Sequence, residues 1–154
     1  MAELTGLRGV KLPVLDVQAS LRWYRTVFGA RPFMEFPDDD GVVRGVAMHL
    51  PGCGEAILAL RHNPHAQPMA GLEVIYSVDD RDALTTWIAH LDECGVTHSP
   101  VVDATVGWLV VLHDLDGHEI HLYPEQRHDI EQSGRAGYGR PVAGSPPDPM
   151  APES

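Results

Sequence analysis

The sequence predicts an α+β fold built from two βαβββ modules, and three observations predict it. Val10, Leu12, Val14, Asp16 and Trp23 recur as Val74, Tyr76, Val78, Asp80 and Trp87 at a constant offset of 64 residues. Each copy reads as a strand feeding a helix that closes at a glycine, Gly29 or Gly95, where a residue without a Cβ ends the last turn at little steric cost. Each helix is followed by three strand-like runs, and Leu58-Ala59-Leu60 falls opposite Ile120-His121-Leu122 at an offset of 62. Two long copies are too few for a solenoid, which needs at least about three short units. Two sheets paired in one body of 154 residues are the natural outcome.

The elements follow from local pattern. The first strand spans about Leu7 to Leu15, with Val10, Leu12 and Val14 alternating against Gly9, Lys11 and Pro13. A helix runs from about Val17 to Phe28, with Asp16 capping it or occupying the turn before it, and Leu21, Tyr24 and Phe28 at helical spacing. Strands are predicted near Arg31 to Phe36, Val42 to Leu50 and Ala56 to Arg61, separated by the turn signals Pro-Asp-Asp-Asp-Gly and Pro-Gly-Cys-Gly. Residues 62–70, with two prolines and two histidines, form a linker between module one (about 7–61) and module two (about 71–125). Module two continues with a strand from Leu72 to Val78, a helix from Asp80 to Cys94, and strands near Val96 to Val101, Val106 to His113 and Glu119 to Tyr123. The single domain occupies 1–131, and the Gly, Pro, Ser and Ala content of 132–154 leaves little to bury, so a disordered tail is expected.

Composition excludes some function classes. Twenty-two acidic against 11 basic side chains give a formal charge of −11, which repels a phosphate backbone and an anionic membrane surface alike. No nucleic-acid or membrane partner is expected. The N-terminus lacks the basic start and apolar stretch of a leader, and only Cys53 and Cys94 are present, which fits a reduced, cytoplasmic protein with no disulfide framework.

The runs LPVLDVQASLRWYRTVFG, GLEVIYSVDDRDALTTWIAHLDECGV and HDLDGHEIHLYPE, with their D-x-x-x-S-x-x-W-Y and D-x-D-G-x-x-I-x-L patterns, resemble the vicinal oxygen chelate superfamily over about residues 7–125. That group includes glyoxalase I, the fosfomycin and bleomycin resistance proteins and the extradiol dioxygenases. The resemblance implies a cup of curved mixed sheet with helices on its outer face, a homodimer, and up to four metal-ligand positions inside the cup. Those positions map onto Gly9, Ala59, Glu73 and His121, and two of the four cannot bind a metal.

Strand parity places side chains in that cup. If Val10, Leu12 and Val14 pack under the helix, then Gly9, Lys11 and Pro13 face inward, as do Ile57, Ala59 and Arg61, Glu73, Ile75 and Ser77, and Glu119, His121 and Tyr123. One carboxylate and one imidazole remain of the family's set, in reversed order, whereas catalytic zinc commonly takes three protein ligands and the iron oxygenases two His and one carboxylate. A tight site requires another donor, with His49 and His62 as candidates.

Three readings of Glu73 and His121 are open: a polar pair satisfying itself in a passive pocket, a general acid/base dyad, or a weakened site for a divalent metal (Zn, Ni, Mn or Fe). Other ligand-binding candidates are Lys11, Tyr123, Trp108 as an aromatic wall if it faces the cup, His113 as out of phase with Leu112 or, in the favoured account, as an exposed strand-end histidine, and Arg61 as an anion partner or an edge-strand arginine in solvent. His62, His65, His90, His98 and His128 fall at loop or helix-surface positions without ligand spacing, and most of them read as solvated. The Asp114-Leu115-Asp116-Gly117 run reads as a strand turn and not a calcium loop. The functional expectation is a protein that binds a small organic molecule with an incomplete metal site, similar to the bleomycin resistance proteins. The alternatives are a metal-free isomerase, epimerase or cyclase, or a metal-dependent lyase, isomerase or dioxygenase.

Overall fold

The computed structural model describes residues 1–104, 107–126, 136 and 143–144. The tail expectation therefore lies, apart from three isolated positions, outside the described residues. The element order is β1 (Gly9–Val14), α1 (Val17–Phe28), β2 (Arg31–Pro37), β3 (Val43–His49), β4 (Ile57–His62), β5 (Glu73–Val78), α2 (Arg81–Glu93), β6 (Val102–Asp103), β7 (Trp108–His113) and β8 (Glu119–Pro124). The repeat is visible in the bounds, with β5 offset from β1 by 64 residues and β8 from β4 by 62.

Two four-stranded sheets have equivalent orders, β1-β4-β3-β2 and β5-β8-β7-β6. In the first, β1 pairs with β4 in parallel, while β3 runs antiparallel to both β4 and β2. A parallel neighbour requires a long crossover, which α1 with β2 and β3 supplies. Strand β4 is thus interior, which corrects the view of Arg61 as an edge-strand residue.

The chain divides into two compact units, Met1–Leu72 with His113–Glu119, and Glu73–Leu112 with Ile120 onward. In the first, Leu12, Val14, Val46, Met48, Leu58 and Leu60 are buried, as are Val17, Leu21, Tyr24 and Val27 of α1. Burial of each large aliphatic side chain contributes about 2 kcal/mol. In the second, Leu84 and Leu91 of α2 are buried, together with Val110, Leu112, Ile120 and Leu122.

Both helices are capped by an aspartate, and Asp80, expected as the first residue of its helix, lies just before it. The Asp16 carboxylate accepts from the Ala19 amide at 2.9 Å and that of Asp80 from the Ala83 amide at 2.8 Å, satisfying amides that have no partner within the helix. Gly29 (φ +69°) and Gly95 (φ +68°) take the left-handed conformation where the helices end.

The Asp114–Gly117 turn joins the first unit through a buried polar cluster that sequence reasoning left unassigned. Tyr24 donates its hydroxyl to Asp114 Oδ2 at 2.7 Å, and Asp114 Oδ1 accepts from the amides of Asp116 and His118 at 3.0 and 2.9 Å. Asp116 accepts from the Leu15 amide at 2.9 Å and the Ser20 hydroxyl at 3.3 Å, and His118 Nε2 lies 2.7 Å from the Pro13 carbonyl. The D-x-D-G residues therefore organise the fold.

One element differs from expectation. Val96–Val101 forms no strand; it contributes an isolated bridge from His98 to Leu112, and the short β6 begins at Val102. Pro100 has no amide hydrogen for a ladder, and the Ser99 hydroxyl accepts from the Val111 amide at 2.9 Å.

Candidate functional site

The second sheet brings together the donors that the sequence left incomplete. Glu73 opens β5, and Glu119 and His121 are the first and third residues of the neighbouring β8. Residues two apart on a strand share a face. His121 Nδ1 lies 3.6 Å from Glu73 Oε2, and one ligand atom from each of Glu73, Glu119 and His121 lies within 4.8 Å of the others. The His121 side chain is 11% exposed and that of Glu73 43%, so a sheltered imidazole meets a carboxylate open to solvent.

Groups bound to one metal at about 2.1 Å stand roughly 3 to 4 Å apart. The imidazole–carboxylate separation lies in that range. One nitrogen and two carboxylates suit a divalent ion such as Zn or Mn.

The first module contributes no donor at the corresponding places. A Cβ on Gly9 would collide with the carbonyl oxygen of Ile57 on β4, so the close approach of the two strands requires glycine. Ala59 is partly buried and carries only a methyl group. Neither suggested substitute is among the converging donors: His49 Nδ1 lies 3.3 Å from the Ala56 carbonyl and its ring stacks on Phe33, and His62 Nδ1 lies 3.0 Å from the Leu15 carbonyl.

What the first sheet presents instead is a face of small and apolar groups. Registered across β1, β4, β3 and β2 are Lys11, Ala59, Ala47 and Met34 in one row and Pro13, Arg61, Gly45 and Phe36 in the next. Phe36 lies over Gly45, where an added Cβ would sit 3.3 Å from the phenylalanine Cβ. Phe33 and His49 stack with centroids 4.4 Å apart and 13° between planes. Phe33, Met34 and Phe36 remain 47%, 50% and 45% exposed. Strand periodicity predicted this strand but did not mark these residues as functional, because an apolar edge strand reads as core until its neighbours are known.

The remaining predicted residues fall in several places. Lys11 is exposed and in phase with Gly9. Tyr123 is half-buried and in phase with His121. His113 is exposed and out of phase with Leu112. Trp108 has the parity of buried Val110 and Leu112, and its ring centre lies 5.4 Å from the guanidinium of Arg81 at the start of α2, so it belongs to the helix side of its sheet. The condition for an aromatic ligand wall at Trp108 is not met.

Arg61 is committed to a local network. It pairs with Asp38 at 3.0 Å, while Arg44 pairs with Asp38 at 3.0 Å and Asp40 at 2.8 Å. Arg61 and then Arg44 hold the Asp38 carboxyl below its ordinary range, and Arg44, helped by the Val42 amide, lowers that of Asp40 to about 2.

His98 is not a solvated histidine: it lies 2.6 Å from the Ser99 carbonyl and 2.8 Å from Asp92, and those two partners raise its pKa. His90 lies 3.7 Å from the Cys94 sulfur, and His128 is outside the described residues. Cys53 and Cys94 are not joined in a disulfide, and burial pushes the Cys53 thiol up.

A family profile described as the Glyoxalase/Bleomycin resistance protein/Dioxygenase superfamily matches residues 6–122. No curated protein matches the chain in sequence. Among solved structures, a glyoxylase/bleomycin resistance protein/dioxygenase domain from Frankia sp. EAN1pec is 22% identical with a TM-score of 0.65, the alignment covering 78% of this chain and 97% of that one. A mutant fosfomycin resistance protein from Listeria monocytogenes, complexed with Mn(II) and 1S,2S-dihydroxypropylphosphonic acid, is 15% identical with a TM-score of 0.65, over 79% and 93% of the two chains. TnmS3, an antibiotic binding protein from Streptomyces sp. CB03234, is 22% identical with a TM-score of 0.64, over 80% and 98%. At these identities the likeness shows a shared fold.

Proposed function

The chain belongs to the Glyoxalase/Bleomycin resistance protein/Dioxygenase superfamily, and from that premise we propose that it binds a small planar organic molecule on the face of its first sheet opposite α1 and holds it without transforming it. The observation that carries this reading is the registered surface itself. Positions that hold metal donors in the resemblance are Gly9 and Ala59, and with Gly45 and Ala47 they leave a low floor bordered by the exposed rings of Phe33 and Phe36 and by Met34. A flat apolar ligand removes those rings from water, and Lys11, at the β1 end of one row, offers a cation to an acidic or carbonyl group on it. The likeness to an antibiotic binding protein supports the same reading.

The test uses 8-anilinonaphthalene-1-sulfonate and bleomycin as probes, with fluorescence titration for the first and thermal shift for both. Covering the exposed half of one phenylalanine ring, about 80 Å², is worth about 2 kcal/mol, or roughly thirtyfold in affinity. Phe36→Ala is expected to lose about that much affinity for the naphthalene probe, and Lys11→Ala to lose less. Equal affinity in wild type and both variants refutes the reading.

A second reading rests on the 3.6 Å approach of His121 to Glu73, in which Glu73 orients the imidazole as a general base for a metal-free isomerase, epimerase or cyclase reaction. It requires turnover that Glu73→Gln abolishes while ligand affinity is kept; binding with no turnover in either form leaves the holding role alone.

The working unit in this proposal is a cytoplasmic homodimer. The family resemblance supports the dimer. No described helix is long and apolar enough to cross a membrane. Sedimentation at micromolar concentration checks the assembly, and a clean monomer contradicts it.

A further inference from the structure

We propose that Glu119 is the donor that completes a divalent-cation site with Glu73 and His121, so that the cation site of this chain is carried by β5 and β8 without the first module's ligand positions. The inference stands on a different sheet face from the organic-ligand reading.

Three features carry it. The donor atoms of two carboxylates and one imidazole converge within 4.8 Å. Two carboxylates held this close repel each other; a divalent ion placed among them attracts both and takes the imidazole nitrogen as its third ligand. The placement is fixed by regular structure, since Glu119 and His121 are alternate residues of one strand and Glu73 opens its neighbour, so no loop has to move to assemble the set.

The third feature is the chemistry left to the first module. Gly9 cannot receive any side chain without displacing β4, and among the described residues the donors that converge with Glu73 and His121 include neither His49 nor His62. A cation held here therefore depends on Glu119, a position outside the four that the family resemblance supplies. Three protein donors leave coordination positions open to water or to an oxygen of a bound molecule.

The experiment uses the full chain, stripped with chelator and dialysed, and titrates Mn(II) by the loss of the free-ion electron paramagnetic resonance signal, with Zn(II) as competitor. Wild type is expected to bind a single Mn(II) saturably, displaced by Zn(II). Glu119→Gln, which keeps the side-chain volume and one oxygen but removes the charge, is expected to weaken binding at least about tenfold, since even residues outside the coordination shell commonly contribute that much. His121→Ala should abolish binding, and Lys11→Ala should leave it unchanged. Circular dichroism and melting curves on each variant separate a lost ligand from a lost fold; Glu119→Asp, as a second variant, should retain part of the affinity. The inference is overturned if wild type shows no saturable binding of either ion below about 1 mM, or if Glu119→Gln binds Mn(II) as wild type does while His121→Ala does not. Neither result touches the naphthalene-probe assay, whose variants lie on the first sheet.

Discussion

Replacing Tyr24 by phenylalanine removes one hydroxyl and nothing else from the first unit. The ring is 1% exposed and keeps its edge contact with Trp23, at 4.9 Å between centroids, and its stacking on Phe28 at 6.0 Å, so apolar burial is unchanged. What is lost is the 2.7 Å hydrogen bond to Asp114 Oδ2, whose residue is 7% exposed. A hydrogen bond to a charged group is worth about 1.5–3 kcal/mol, and a buried acceptor left short of a donor costs an amount in the same range. The carboxylate keeps the amides of Asp116 and His118 on Oδ1, which holds the expected loss near 2 kcal/mol, about thirtyfold in the folding equilibrium.

Urea unfolding followed by circular dichroism measures it, as a lower midpoint at unchanged slope. Asp114→Ala orphans three donors at once and should cost more. In that background Tyr24→Phe should cost less than half of what it does in wild type, because the two residues act on one bond. A loss below about 0.5 kcal/mol for Tyr24→Phe, or full additivity of the two changes, refutes the view that the D-x-D-G turn is held by this pair.

Two further outcomes are expected. Gly9→His should not restore the family's first metal position: its Cβ collides with the Ile57 carbonyl, so the variant should lose about 1–3 kcal/mol of stability and bind Mn(II) no more tightly than wild type, measured by urea unfolding and by the resonance titration. The His98 pair should give a pH-dependent contribution. Because the Ser99 carbonyl and Asp92 raise the folded pKa above the ordinary 6.5, that contribution is full below pH 6.5 and is lost as pH rises through the folded value; Asp92→Asn should reduce the pH dependence of the melting temperature over that window without abolishing it, since the Ser99 carbonyl remains, and a wild-type profile already flat there contradicts it.

The repeat, the helix caps and the burial parity of most strands were legible in the sequence because each rests on spacing along the chain. Asp16 caps its helix, Gly29 and Gly95 turn left-handed where the helices end, and Glu119 and His121 lie on one strand face; Asp80, read as the first residue of its helix, caps it instead. Periodicity also placed both members of the Glu73 and His121 pair, since each lies at a fixed phase on its own strand.

Tertiary structure alone decided which of these residues meet. Register between strands cannot be read from one strand, so the convergence of Glu119 with Glu73, the closing of β4 over Gly9 and the alignment of Ala59 with Ala47 appear only once the sheets are assembled. The same holds for Trp108, which the cation of Arg81 covers, and for Asp114, whose partner Tyr24 is 90 residues away in the chain. Spacing within a segment sets the direction of a side chain, whereas its partner depends on where a distant segment packs, and that is settled by the balance of burial and hydrogen bonding over the whole unit.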